Sequence, residues 1–269
     1  MSSTWRGYRC YGKKVYTLSL LAVIAATSIF VFLSLYSEPR HVELYVNALT
    51  VLAAGAAFWA SLRVLERQKL ILYELLRAPW FYISTGLGLW LAAETLWLAY
   101  IVLLGEPLEL SVADIAWVLG YVFVFAGLYK GVKPLSPLLR NANLGRKMRL
   151  ALGLPLLLGA LLVAATLAEV PEAVAEEGLL VVIVDSLYVL LDIVLLTLSL
   201  EAMVFFWKGK FVSGPALFSL GLALLAVSDL PYFAVGGYYP GNALDLLCVV
   251  SYIVMAAGIY VYSRQPPVI

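Results

Sequence analysis

Apolar runs of about 20 residues, divided by short charged loops, are the feature that most limits how this chain can fold. The run Val15–Tyr36 holds no charged residue. At that length a helix crosses the hydrocarbon core of a bilayer. Lipid offers no partner to a backbone N–H or C=O, so a spanning segment must pair its own polar groups, and a helix does so within one run. The same criterion places further spans over 44–62, 80–104, 112–130, 148–168, 179–206, 213–235 and 243–262, eight in all. Composition agrees, with 63% hydrophobic and 13% charged residues where a soluble domain carries roughly 25% charge. The expected fold class is all-α, a polytopic integral membrane protein. Basic residues before Val15 imitate a secretory signal, but the run exceeds the 7–15 residues of a signal core and is read as a retained helix.

The loops test the span count independently. Arg6, Arg9, Lys13 and Lys14 precede the first span, and Arg63, Arg67, Lys69 and Arg77 follow the second. Six more basic residues from Lys130 to Arg149, then Lys208, Lys210 and Arg264, fall on the same side, which leaves Arg40 alone opposite. Glu38, Glu106, Glu109, Glu169, Glu172, Glu176 and Glu177 occupy the other side. The positive-inside rule then puts both termini in the cytoplasm and the protein in the cytoplasmic membrane. Basic residues scattered through short loops, with a net charge of +1, make no patch for nucleic acid.

Eight spans divide into two sets of four. SVADIAWVLGYVFVFAGLY (Ser111–Tyr129) returns as NALDLLCVVSYIVMAAGIY (Asn242–Tyr260), pairing Ser111 with Asn242, Asp114 with Asp245, Tyr121 with Tyr252 and Gly127 with Gly258. Upstream, Gly86 and Glu94 read against Gly221 and Asp229, and Gly12-Lys-Lys reads against Gly145-Arg-Lys. A first four-helix repeat over 1–133, a cytoplasmic linker over 134–147 and a second repeat over 148–269 follow. An even number of spans per repeat makes the two halves parallel, and a cleft between them is the natural place for a site.

Acids inside the spans need a physical account, because an ionised side chain at bilayer depth costs at least about 2.5–3.5 kcal/mol. Asp114 and Asp245 have two. With Ser111 or Asn242 as N-cap, each fits a capping box; two turns from Tyr121 or Tyr252, each also shares a face with that tyrosine. Glu94 and Asp229 are expected to face inward, either tying helices together or forming a ligand, proton or cation site. Asp185 and Asp192 lie seven apart on one face of the sixth span, with Glu201 further on, and their expected partners near Val42, Leu49 and Phe58 are apolar. Asp192, nearest the membrane centre, is the leading candidate. No Lys or Arg lies within the helix interiors, so these acids must be protonated, hydrated or paired with a cation.

Several chemistries lack their residues. His41 is the only histidine and lies in a loop, while Cys10 and Cys248 are the only cysteines. Haem ligation, His-dependent hydrolysis, zinc sites and a disulfide framework are therefore not expected. The last span has no Lys for a retinal Schiff base, and Asp185 to Asp192 has the wrong spacing for a diphosphate-binding pair. Neither an enzyme nor a cofactor is expected. Trp5, Tyr8, Trp80, Tyr82, Trp207, Tyr238 and Tyr239 sit near span ends and are read as interfacial anchors. Sparse Gln and Asn hint at a heat-adapted source.

The two repeated stretches, 111–129 and 221–260, resemble the "pSxADxxYxxxYPLxxxGL" pattern. It belongs to multi-helix membrane regions that precede diguanylate cyclase, phosphodiesterase or histidine kinase domains in prokaryotic signalling proteins. Asp114, Tyr121, Asp229, Tyr239, Gly241 and Asp245 match it, with Val122 where the pattern has proline. The resemblance implies a sensory membrane domain, here without an output domain and passing its signal to a separate partner protein. The functional expectation is a non-enzymatic sensor or accessory subunit. Its outward-facing cavity would bind a small molecule or cation through Asp114, Tyr121, Asp185, Asp192, Asp229, Asp245 and Tyr252. The alternatives are a proton or cation transporter using Glu94, Asp192 and Asp229, and a structural subunit of a membrane complex.

Overall fold

The computed structural model describes residues 3–68, 74–105, 110–133, 178–206, 213–234 and 241–265, with 153, 157, 159 and 160. Among them are seven helices and no strand. They are α1 Ser3–Tyr36, α2 Pro39–Gln68, α3 Glu74–Leu104, α4 Val112–Val132, α5 Leu179–Phe206, α6 Ser213–Ala234 and α7 Ala243–Ser263. All but α6 are long and apolar enough to cross a membrane, and the apolar stretch of α6 covers Gly214–Leu230. The chain is an all-α, multi-pass membrane protein. The linker expected over 134–147 lies outside the described residues, and so does nearly all of the span expected over 148–168.

Several helices outrun their expected spans. α1 begins at Ser3, taking in the basic residues ahead of Val15, and α2 runs from Pro39 to Gln68 instead of 44–62. Hydropathy finds the length that lipid demands, whereas helical hydrogen bonding continues into water until a breaker intervenes. Pro39 starts α2 at the first helical position, where a missing N–H costs nothing.

Six of the helices form a closed ring in which α2 packs on α3, α3 on α4, α4 on α5, α5 on α6, α6 on α7, and α7 on α2. α1 lies outside it, against α7 and α2. Its outer face, including Leu18, Leu21, Phe32 and Leu35, is exposed, as suits a surface that meets lipid rather than water. Small residues set the tightest ring contacts, as they do where helices associate without a hydrophobic drive. A Cβ on Gly86 of α3 would lie 2.8 Å from the Gly120 carbonyl oxygen of α4, and one on Gly127 2.9 Å from that of Pro79. In α6 and α7, a Cβ on Gly221 would lie 2.8 Å from the Ser251 oxygen, and one on Gly258 2.7 Å from the Gly214 oxygen.

Trp80 departs from its expected role as an anchor. Instead of meeting the interface, it is 7% exposed and stacks on Tyr262 at 5.0 Å and against Phe218 at 5.8 Å. Span-end position alone does not say whether a ring faces the bundle or the headgroups. Tyr82 keeps a half-buried position with the Lys130 ammonium 5.2 Å from its ring centre.

Candidate functional site

A cavity of about 390 Å³ lies inside the ring. It occupies the half of the bundle where α2, α4, α5 and α7 begin and α3 and α6 approach their ends. Same-face spacing builds its walls: α4 contributes Asp114, Trp117 and Tyr121, α5 Asp185, Tyr188 and Asp192, and α7 Asp245, Cys248 and Tyr252. Each triplet steps by three and then four residues, which keeps all its members on one helical face. Trp90, Glu94 and Trp97 on α3, Asp229 on α6, and Asn47 and Thr50 on α2 complete the polar and aromatic lining.

All the candidate residues that lie among those described thus meet in one place, Asp114, Tyr121, Asp185, Asp192, Asp229, Asp245, Tyr252 and Glu94 alike. Glu201 does not join them; it is half-buried further along α5. Tyr239 lies outside the described residues, while Gly241, which precedes the α7 cap, has a φ of +80° that a side-chain-bearing residue rarely adopts.

The two capping aspartates do both of the things their positions allow. Ser111 Oγ accepts from the Ala113 N–H at 3.1 Å, and Asp114 Oδ2 accepts from the Ser111 N–H at 2.7 Å. The other oxygen, Asp114 Oδ1, takes a hydrogen bond from the Tyr188 hydroxyl at 3.0 Å. At α7 the Asn242 Oδ1 accepts from the Leu244 N–H at 2.6 Å and Asp245 Oδ2 from the Gly241 N–H at 2.7 Å. Both aspartates therefore close a helix end while lining the cavity.

Deeper in, tyrosines reach across the ring. The Tyr121 hydroxyl donates to Asp192 Oδ1. The Tyr252 hydroxyl donates to Glu94 Oε1 at 3.1 Å, which also accepts from Trp117 Nε1–H at 3.3 Å. Trp90 Nε1–H donates to the Trp117 carbonyl at 3.1 Å, and Ser228 Oγ–H to Asp229 Oδ1 at 3.0 Å. Tyrosines on α4 and α7 thus meet acids on α5 and α3.

No family of proteins, no curated protein and no solved structure matches this chain. What the site does must be read from its own chemistry.

Six carboxylates line the cavity, and no Lys, Arg or His does among the described residues. Asp192 is fully buried, and its Oδ2 has no hydrogen-bond donor among the described residues. Among the described residues it is the one carboxylate oxygen that is buried and unbonded, a state shared with the hydroxyls of Ser84 and Ser199. Among the described residues no three His, Cys, Asp or Glu side chains converge closely enough to hold a metal ion. The acids are instead spread around an aromatic wall. Trp97 meets Trp117 edge to face with centroids 5.5 Å apart, and Trp90 meets Tyr121 in the same way at 5.2 Å.

Trp117, Tyr188 and Cys248 are among the lining residues that the sequence reading did not name as part of a site. Their signal was present, since each stands three residues after a singled-out aspartate and four before the next singled-out residue on its helix. Trp90, Trp97, Asn47 and Thr50 had no such marker.

Proposed function

We propose that this protein is a non-enzymatic sensor or accessory subunit of the cytoplasmic membrane, with both termini inside and an outward-facing acidic cavity that receives a small ligand. One observation carries this reading: six acids and three hydrogen-bonding tyrosines converge on one cavity that has no basic side chain among its described lining. The likeness of Asp114, Tyr121, Asp229, Gly241 and Asp245 to the pattern of sensory membrane regions points the same way.

The scaffold we infer is a duplication of four spans, eight in total. The equivalent glycines make equivalent contacts, Gly86 with Gly120 and Val124, Gly221 with Ser251 and Met255. Buried positions on α2, Thr50, Ala53, Ala54, Ala57 and Ala60, keep the spacing of Asp192, Leu195, Leu196, Ser199 and Ala202 on α5. This register sets Thr50 opposite Asp192 and Glu43 opposite Asp185, one residue on from the partners that hydropathy suggested. α4 and α5 run parallel, with Asp114 against Tyr188 and Tyr121 against Asp192. An eighth crossing between them accounts for that direction.

Reconstitution into sealed liposomes tests reception against transport. The expected result is no proton, sodium or potassium flux above that of protein-free liposomes under an imposed gradient. A gradient-driven flux that disappears in Asp192→Asn would replace the sensor reading with the transporter one.

A further inference from the structure

The ligand class can be read from what surrounds Asp192, granted the proposal above that the cavity is a receiving site. We propose that the cavity takes a small organic cation, an ammonium group carrying apolar bulk, with its charge at Asp192 Oδ2 and its apolar part against Trp90, Trp97 and Trp117. Three observations on independent groups converge on this class.

The first is the open acceptor. Asp192 is fully buried, Tyr121 satisfies one of its oxygens, and the other has no donor among the described residues. A buried carboxylate oxygen without a donor is costly, and a cationic N–H or N–CH₃ group brought beside it offsets that cost. The second is the wall. Indole faces attract cations through the ring quadrupole, and aromatic cages with a nearby acid are the recurring solution for ammonium groups. Trp117 is held by its own N–H on Glu94, and Trp90 by its N–H on the Trp117 carbonyl, so both rings are fixed before a ligand arrives. The third is the exclusion of the simpler cation. A bare metal ion needs several oxygens at about 2.0–2.6 Å, and no described group of acids converges that closely. A cavity of about 390 Å³ has the size of small-molecule sites, which run from about 300 Å³ upward, far beyond what a dehydrated ion fills.

The test is a titration of the full chain in maltoside detergent, which carries no ammonium group, read by tryptophan fluorescence and thermal midpoint. The probes are benzyltrimethylammonium, its neutral carbon isostere neopentylbenzene, and the chlorides of sodium, potassium, magnesium and calcium. The inference expects saturable binding of benzyltrimethylammonium alone, weakened about tenfold or more in Trp117→Leu and in Asp192→Asn. Thr17→Ala on α1, away from the cavity, should leave binding unchanged and reports on fold damage. Equal binding of neopentylbenzene overturns the cation class while leaving a receiving site in place. Saturable binding of an inorganic cation alone, lost in Asp192→Asn, overturns the organic class in the same way. No binding by any probe overturns the organic-cation inference, and gradient-driven flux in the liposome assay separately overturns the receptor reading.

Discussion

At the scale of single residues, the Tyr121 hydroxyl holds a costly position, because it is the one donor to Asp192 among the described residues. Removing it as Tyr121→Phe leaves a fully buried carboxylate with neither oxygen paired. The expected cost is about 1–3 kcal/mol, read as a lower thermal midpoint in detergent. Asp192→Asn in the Tyr121→Phe background should recover part of that loss, since the amide removes the buried charge while keeping its volume. A double-mutant cycle should give a coupling of about 0.5–3 kcal/mol; independent losses would mean that the two side chains do not share a bond. Residue-level reading of the sequence found Asp192 because an acid in an apolar span stands out. It missed Trp117 and Cys248 because tryptophan and cysteine are ordinary in such spans, and only their step of three and four from Asp114, Tyr121, Asp245 and Tyr252 marks them.

At the scale of elements, helix ends and helix contacts are separable. Ser111→Ala and Asn242→Ala each remove an N-cap acceptor and should cost about 0.5–2 kcal/mol. The ring contacts depend on absent side chains instead. Gly258→Ala would place a methyl 2.5 Å from the Phe218 amide nitrogen and 2.7 Å from the Gly214 oxygen, so α6 and α7 must part. Overpacking of this kind costs about 1–3 kcal/mol. Gly131→Ala makes only an ordinary 3.8 Å contact with Pro79 and should be neutral or slightly stabilising, as alanine is the better helix former. Equal melting of Gly258→Ala and Gly131→Ala would contradict the close approach of α6 and α7. Apolar length announced all seven of these helices from sequence, α6 as a span over 213–235. The apolar stretch of α6 is shorter than the helix, since Ser219, Gly221, Ser228 and Asp229 dilute it. The burial of Trp80 was not legible at all, because its partners Phe218 and Tyr262 are more than 130 residues away in the chain.

At the scale of the whole molecule, the ring separates two kinds of charge. Arg63, Arg67, Lys130, Lys133 and Arg264 gather at one end, where Arg67 also donates to the Ser263 carbonyl and ties α2 to α7. The acids line the cavity toward the other end. This polarity was visible in the loops before any fold was known. The cavity was visible only as a list of acids; that they share one space depends on ring closure between α2 and α7 and between α4 and α5, contacts that span the two halves of the sequence. Those cross-half bonds also suggest how occupancy would be felt elsewhere. A ligand at Asp192 Oδ2 would set a charge beside the Tyr121 bond, and one that competes for Glu94 would take a partner from Tyr252, so either would act on the contacts that join α4 to α5 and α3 to α7. A ligand that binds only the folded state raises the thermal midpoint by linkage, and Tyr252→Phe should reduce that rise less than Asp192→Asn does.

Cys248 offers the most direct measurement, because a native thiol sits in the cavity wall. In Cys10→Ser protein it is the only cysteine. Its rate of modification by a trimethylammonium-ethyl thiosulfonate reagent is compared with that by the sulfonate analogue, each normalised to a free thiol in solution. An acidic cavity concentrates the cation, and the normalised ratio should favour the cationic reagent by at least about tenfold and fall in Asp192→Asn. A ratio equal to that of the free thiol, unchanged in the mutant, would contradict the placement of Cys248 and Asp192 in one acidic space.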